Sequence, residues 1–389
     1  MASAVIVDVV RTALGKRNGK LKDWHPVDLA AETLKAVVER NDLDPALVED
    51  VIMGCVMQTG EQGLNIGRNA ALGAGFPESV VGTSVDRQCG SSQQAAHFAA
   101  QGVIAGAYDV VIAAGVESMT RVPMGVTMTN GPGIPFGPKM MERYQDQGGL
   151  VPQGISAELI AEKWSLSRED LDAFSVESHK RAARATEEGR FEREIIPVLV
   201  DTDAGKEEFA RDEGIRPDSS LESLANLKPA FKPDGVVTAA NSSQITDGAS
   251  ALLIMSEDKA SQLGLTPRAR FHTFALAGVD PIMMLTGPIP ATSKVLERAG
   301  MSLSDIDLVE INEAFASVVL AWEKEHHPDM TKVNVNGGAI ALGHPLGSSG
   351  ARLMTTLLSE LERSGGRWGL QTMCEGGGMA NATIIERLG

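Results

Sequence analysis

Short β-branched runs alternate with stretches whose apolar residues recur at helical spacing, and this happens on both sides of a long, dissimilar middle segment. In the first part, Val5-Ile6-Val7 opens a strand. His25 to Asn41 reads as a helix through Leu29, Leu34, Val37 and Val38. Strand-like Asp50 to Met53, a short helix from Asn65 to Leu72, a strand from Ser79 to Val85, a helix from Ser91 to Ala107 and the buried run Asp109 to Ala114 follow. The last part repeats the theme with strands at Ala269 to Phe274, Ile306 to Ile311, Trp368 to Cys374 and Ala382 to Arg387, and helices at Pro290 to Ala299 and Gly350 to Ser364. An order of this kind predicts an α/β fold in which helices cover a sheet.

Two echoes point to an internal duplication. Leu43-Asp44-Pro45 ahead of Val48 to Ile52 resembles Leu303-Ser304-Asp305 ahead of Ile306 to Ile311. Gly90-Ser91-Ser92 opens one helix as Gly347-Ser348-Ser349 opens another. The middle, Met119 to Ile245, is first rich in Gly, Pro and Met, then charged and helical from Ser156 to Glu188. It is too long for a simple loop and predicts an inserted subdomain covering a site.

Charge narrows the partners. A net charge of −16 opposes binding to a phosphate backbone, and 4% aromatic residues leave few platforms for stacking bases, so no nucleic acid is expected. Three widely spaced cysteines, Cys55, Cys89 and Cys374, fit neither a disulfide framework nor a zinc site, and free thiols suit a reducing compartment. The N-terminal run reads as a strand, not a signal peptide. No apolar stretch is long enough to span a bilayer, and the final residues are not a peroxisomal address. The cytoplasm is the expected location.

Cys89 lies where a strand runs through Ser84 to Gln88 into Gly90 and a helix begins. A thiol there meets unpaired backbone N–H groups and the positive end of a helix dipole. Both predict a lowered thiol pKa, and the N–H groups can hold an oxyanion. The alternative is a small packed cysteine. His344 is nearly the only functional side chain between Asn334 and Gly347, with Pro345 fixing the chain after it; it is a candidate base. His25, His97, His179, His272, His326 and His327 read as structural or solvated. Cys374 precedes Glu375-Gly376-Gly377-Gly378 and is either a second acid–base thiol or a packed one. Asn312, after a strand, can donate to an oxyanion, hold a water or cap a helix. Cys55 reads as core. No phosphate-loop or dinucleotide-binding glycine pattern is present.

Taken together, Cys89-Gly90-Ser91, Gly115 to Met119, Asn241 to Ala249, Asn312 to Phe315, Gly343-His344-Pro345 and Cys374 to Gly378 resemble the thiolase family in order and spacing along nearly the whole chain. The resemblance implies a five-layered αβαβα fold of two duplicated βαβαβαββ halves. Residues 1–118, completed by 246–267, would form the first half, 119–245 an inserted loop domain over the coenzyme A site, and 268–389 the second half. It implies that Cys89 is acylated, that His344 activates it and shares an oxyanion hole with a water on Asn312, and that Cys374 moves the α-carbon proton. Backbone N–H groups of Cys89 and Gly376 would form a second oxyanion hole. Arg216, Phe231 and Ser243 would contact coenzyme A, and Phe315 the acyl end. The substrates implied are acyl-CoA and CoA, with no metal or redox cofactor. The implied assembly is a homodimer or homotetramer, built through Val122 to Lys139.

Within that family, biosynthetic acetoacetyl-CoA thiolases carry His-Met-Gly where this chain has Pro152-Gln153-Gly154. The departure favours a degradative 3-ketoacyl-CoA thiolase of fatty-acid or steroid side-chain β-oxidation over a biosynthetic one. A ketoacyl synthase would pair the cysteine with His/His or His/Asn, and the Cys374 turn fits a thiolase better. Intact Cys89, His344, Asn312 and Cys374 argue against a non-catalytic CoA- or lipid-binding relative.

Overall fold

The computed structural model describes residues 3–389, so the first two residues of the expected N-terminal half lie outside the described residues. The principal strands are β1 (Ala4–Thr12), β2 (Asp50–Gly54), β3 (Val81–Val85), β4 (Val110–Ser118), β5 (Thr246–Ser256), β6 (Ala269–Gly278), β7 (Leu308–Ile311), β8 (Trp368–Glu375) and β9 (Met379–Arg387). They follow one another through the sheet as β7-β8-β9-β6-β1-β5-β4-β2-β3. Two halves with one topology meet at the antiparallel β1–β6 pairing. In the first half, β3 and β4 flank β2 in parallel, and β5 then β1 follow antiparallel. The second half repeats this as β7, β8, β9 and β6, and the counterpart of β3 has shrunk to a parallel bridge between Val309 and Val333.

The layers follow from the period of two along each strand. Val110, Ile112 and Ala114 of β4 face an outer core with Leu29, Leu34 and Val37 of the helix Pro26–Glu39. Their neighbours Val111 and Ala113 face the opposite way. There they meet Ala95, Ala96, Ala99 and Ala100 of the helix Ser91–Ile104 and Met354, Leu357 and Leu358 of the helix Ser349–Ser364. These two central helices occupy equivalent places in the two halves. On the far side, Leu370, Ala382 and Ile384 pack against Val295 and Leu296 of the helix Pro288–Ala299 and Val319 and Trp322 of the helix Ala316–His326. The result is helix, sheet, paired helices, sheet, helix.

Sequence reasoning named no strand between the end of β4 and Ala269. The structure places β5 there, fully buried between β1 and β4. Its run Ala251 to Met255 is apolar on both faces, so it shows neither strand alternation nor a helical stripe. Between Ser118 and Thr246 the chain adds only Ile195–Ile196 to the large sheet. The helices Gln153–Lys163 and Arg168–Glu187 lie in this stretch. Ala157, Ile160 and Leu171 from them join Phe315, Val318 and Cys374 in one apolar cluster. Buried Arg11 of β1 fastens the same stretch to the sheet, donating to Asp212 through both terminal nitrogens at 2.7 and 2.9 Å and to Glu194 at 2.6 Å. No helix among the described residues is long and apolar enough to cross a membrane.

Candidate active site

β3 leads through Asp86 to Cys89 into the helix Ser91–Ile104. Gln88 has φ +48°, a left-handed conformation that costs a non-glycine residue about 1 kcal/mol. It is held by Ser91, whose Oγ accepts from Arg87 N–H at 3.0 Å and donates to the Gln88 carbonyl at 2.6 Å. The turn aims Cys89 inward. Gln88 Oε1 and Gln153 Nε2 come within 3.0 and 3.3 Å of where a Cβ on Gly376 would stand, so both carboxamides lie close to this turn.

A lowered pKa was expected for Cys89, and the structure reverses that. Burial, and then the Glu375 carboxyl, push the thiol up to about 12, with the polar groups of Gln153 and Gly376 opposing. A helix N-terminus supplies roughly 0.3–1 kcal/mol, less than one pH unit, whereas full burial moves a pKa by several. At rest Cys89 is therefore a thiol, and its use as a nucleophile would require a base.

His344 is set up as that kind of base. Burial, helped by the charge of Arg352, lowers its pKa to about 3, so the imidazole is neutral. Nδ1 lies 2.6 Å from Ser349 Oγ, and that hydroxyl donates to the Pro345 carbonyl at 2.8 Å. A hydroxyl committed to the carbonyl can only accept from the ring. The proton is thereby assigned to Nδ1 and the lone pair to Nε2. Asn312 Nδ2 stands 3.3 Å from Nε2, and Asn312 Oδ1 is buried without a protein partner. Asn312 is not a helix cap: the next helix starts at Ala316 with Phe315 as its N-cap, while Asn312 N–H pairs with Thr372 O at 3.1 Å.

Cys374 is fully buried near the end of β8. Its thiol is raised well above the ordinary value by burial, with Cys89 the next contributor, and Gly90 beside Cys89 packs against Glu375 beside Cys374. The two halves pack closely here. A Cβ on Gly350 would lie 2.2 Å from Gln93 N, and one on Gly115 would lie 2.3 Å from Gly347 O. Ala351 N–H donates to Ser92 Oγ at 2.8 Å. Glu117 adds a weld, accepting from Val56 and Met57 of one half and Gly347 of the other at 2.8–3.0 Å. Cys55, on the same weld, is buried core as expected.

Phe231 and Phe315 meet edge to face with centroids 5.9 Å apart, and the Phe231 ring covers Gly154. Ser243 N–H donates to Ala314 O at 2.9 Å, which sets it beside Phe315. Arg216 is exposed, its N–H donating to His179 Nδ1 at 3.1 Å. Around Cys89 the wall is apolar, formed by Met57, Met119, Val122, Leu346 and Met373.

Three residues here escaped sequence reasoning as site residues. Ser349 was read only as part of a helix start. Gln153 was read only as a departure from a related pattern. Glu375 was read as part of a turn, yet both its oxygens are buried without partners beneath Gly90, where a Cβ would lie 2.0 Å from Oε1.

Comparison with known proteins finds relatives along nearly the whole chain. The family model described as thiolase, N-terminal domain, matches residues 4–258, and that of the thiolase C-terminal domain matches residues 265–387. A steroid 3-ketoacyl-CoA thiolase of Mycobacterium tuberculosis is 53% identical over all of this chain and 95% of its own length. A 3-ketoacyl-CoA thiolase of Psychrobacter cryohalolentis is 49% identical over 99% of this chain and 98% of its own. Among solved structures, an acetyl-CoA acetyltransferase of Bacillus anthracis superposes with a TM-score of 0.92 at 41% identity, covering 100% of this chain and 99% of that one.

Proposed function

The chain belongs to the thiolase family, and from that premise we propose that it cleaves 3-ketoacyl-CoA with CoA, giving acetyl-CoA and a shortened acyl-CoA, in the degradation of fatty acids or steroid side chains. One observation supports the reading: Cys89 and Cys374 are both buried, and Gly90, next to the first, packs directly against Glu375, next to the second.

In this reading Cys89 passes its proton to Nε2 of His344 and attacks the β-keto carbon. The oxyanion is held by the new Nε2–H and a water on Asn312 Oδ1. Its collapse breaks the bond between the α- and β-carbons. The acetyl-CoA carbanion takes the proton of Cys374, leaving a thiolate there. That thiolate deprotonates the incoming CoA, which attacks the acyl group on Cys89, with the N–H groups of Cys89 and Gly376 holding the thioester oxygen. Expulsion of Cys89 and return of the proton from His344 close the cycle.

Phe231, Phe315 and Ser243, with Arg216 at the surface, are assigned to the CoA and acyl side. The relatives' names and the apolar, methionine-bearing wall beside Cys89 favour substrates longer than acetoacetyl-CoA. We assign residues 119–245 to a loop domain over the CoA site, and 1–118 with 246–267, and 268–389, to the two catalytic halves. Exposed Met124, Met128, Ile134 and Phe136 support assembly of copies through Val122 to Lys139. The test is Cys89→Ala: thiolysis of acetoacetyl-CoA is expected to vanish while CoA binding by calorimetry stays within a few-fold. Undiminished turnover would refute covalent catalysis at this residue.

A further inference from the structure

Glu313, the residue after Asn312, is buried as deeply as the reacting groups and takes part in none of the steps assigned above. A buried carboxyl needs hydrogen-bond partners, and three donors converge on this one. Oε1 accepts from Asn334 Nδ2 at 3.0 Å. Oε2 accepts from Ser178 Oγ at 2.6 Å and from Ile340 N–H at 3.2 Å. Burial raises the pKa of the group, and these hydrogen bonds oppose the rise. Ser178 belongs to the helix Arg168–Glu187 of the inserted stretch, while Asn334 and Ile340 lie in the segment that leads to His344.

The partners are themselves fixed. Asn334 brackets Ile311, its Oδ1 accepting from Ile311 N–H at 2.9 Å and its Nδ2 donating to Ile311 O at 2.8 Å. The Ser178 hydroxyl donates to the carboxylate and accepts from Gly338 N–H at 3.2 Å. Glycine permits this approach: a Cβ on Gly338 would lie 2.3 Å from Glu313 Cδ. From the opposite side Gln244 Nε2 donates to Ile340 O and Ala341 O at 2.8 and 3.0 Å, and Gln244 O accepts from His344 N–H at 3.1 Å. Gln244 thus fixes the path of the His344 loop, and Glu313 fixes that loop relative to Asn312.

We propose that Glu313 is a positioning residue: by gripping Asn334 and Ile340 from the position next to Asn312, it holds the Asn312 carboxamide 3.3 Å from Nε2 of His344, with Ser178 extending the hold to the inserted stretch. The use made of that pair rests on the reaction assigned above; the hold on it does not.

Glu313→Gln keeps the shape and turns one oxygen into an amide. Whichever way the amide lies, it points a donor at a donor, either Asn334 Nδ2 or the Ile340 N–H. In thiolysis of acetoacetyl-CoA, counted per CoA-binding site by calorimetry, kcat is expected to fall roughly 10- to 100-fold with KM within about twofold. The double variant with Asn312→Ala is expected to be no slower than Asn312→Ala alone, because the same contact is lost only once. A carboxylate that only stabilises the fold would lower the resistance to urea and leave kcat per site unchanged. That result, or losses that multiply in the double variant, overturns the proposal. Should Glu313→Gln fail to fold, Ser178→Ala removes one donor only; a several-fold loss of kcat per site is then expected, and the same two results overturn the proposal. Crystal structures separate the hold from the reaction. If the Asn312–His344 separation changes by more than about 0.5 Å in the variant while the native protein shows no thiolysis, the positioning stands and the reaction is the part that fails. An unmoved pair overturns the positioning whatever the activity.

Discussion

Replacing Glu375 with glutamine isolates the least comfortable group in this pocket. Its carboxyl is fully buried, neither oxygen has a partner, and burial raises its pKa to about 8, with Arg87 opposing and Asp86 adding to the rise. The unfolded carboxyl titrates near 4.5. Between those values the folded chain holds a proton that the unfolded chain releases, so the group's stability is fully present below pH 4.5 and is lost as pH rises toward 8. Above that both states are ionised and the loss levels off. At pH 7 the penalty relative to acid is about 3 kcal/mol, a large share of the stability of a folded domain. Glutamine keeps the shape and does not titrate. In urea unfolding at fixed protein concentration, Glu375→Gln should therefore gain on the native protein by roughly 2–3 kcal/mol between pH 5 and pH 7 and hold a constant lead above pH 8. A difference that does not change with pH would mean the carboxyl is ionised throughout and the burial argument is wrong.

Cys374→Ala should still take an acyl group on Cys89, seen by intact mass after exposure to acyl-CoA, yet lose most carbon–carbon chemistry; failure to label would make Cys374 a residue that shapes the nucleophile instead. Ser349→Ala frees the ring of His344 to adopt the other tautomer, so kcat is expected to fall about tenfold or more at unchanged KM, with Ser349→Thr restoring most of it. Arg11→Leu leaves Glu194 and Asp212 buried without their cation, and chemical denaturation should show a loss of about 3–5 kcal/mol.

The sequence was informative wherever a single segment carried the physics. Alternation of strand and helix patterns predicted the layers, and the turns at Cys89 and Cys374 marked two thiols that the fold buries, with Gly90 packed against Glu375. The His344 loop stood out because it holds almost no other side chain. What could not be read depended on distant partners or on balance. β5 looked featureless because both of its faces are buried. Ser349 matters through a ring five residues away, and Glu375 through its burial beneath Gly90 from the other half of the chain. The direction of the Cys89 pKa was misjudged because the helix start is visible in sequence and the depth of burial is not.

That balance explains why duplication suits this chemistry. Each half ends a strand or opens a helix at the same face, so the first presents Cys89 ahead of the helix Ser91–Ile104 and the second presents His344 just ahead of the equivalent helix Ser349–Ser364. The two helices pack side by side with glycine at the contact, which draws the starts of both helices together. Burial between the halves makes every charge in the pocket unfavourable at rest: Cys89 and Cys374 keep their protons and His344 stays neutral. Charge then appears only when a substrate carbonyl draws it out, and it appears beside donors already in place. A more exposed site would hold a more acidic thiol, but its donors would be weaker and water would compete for the carbanion.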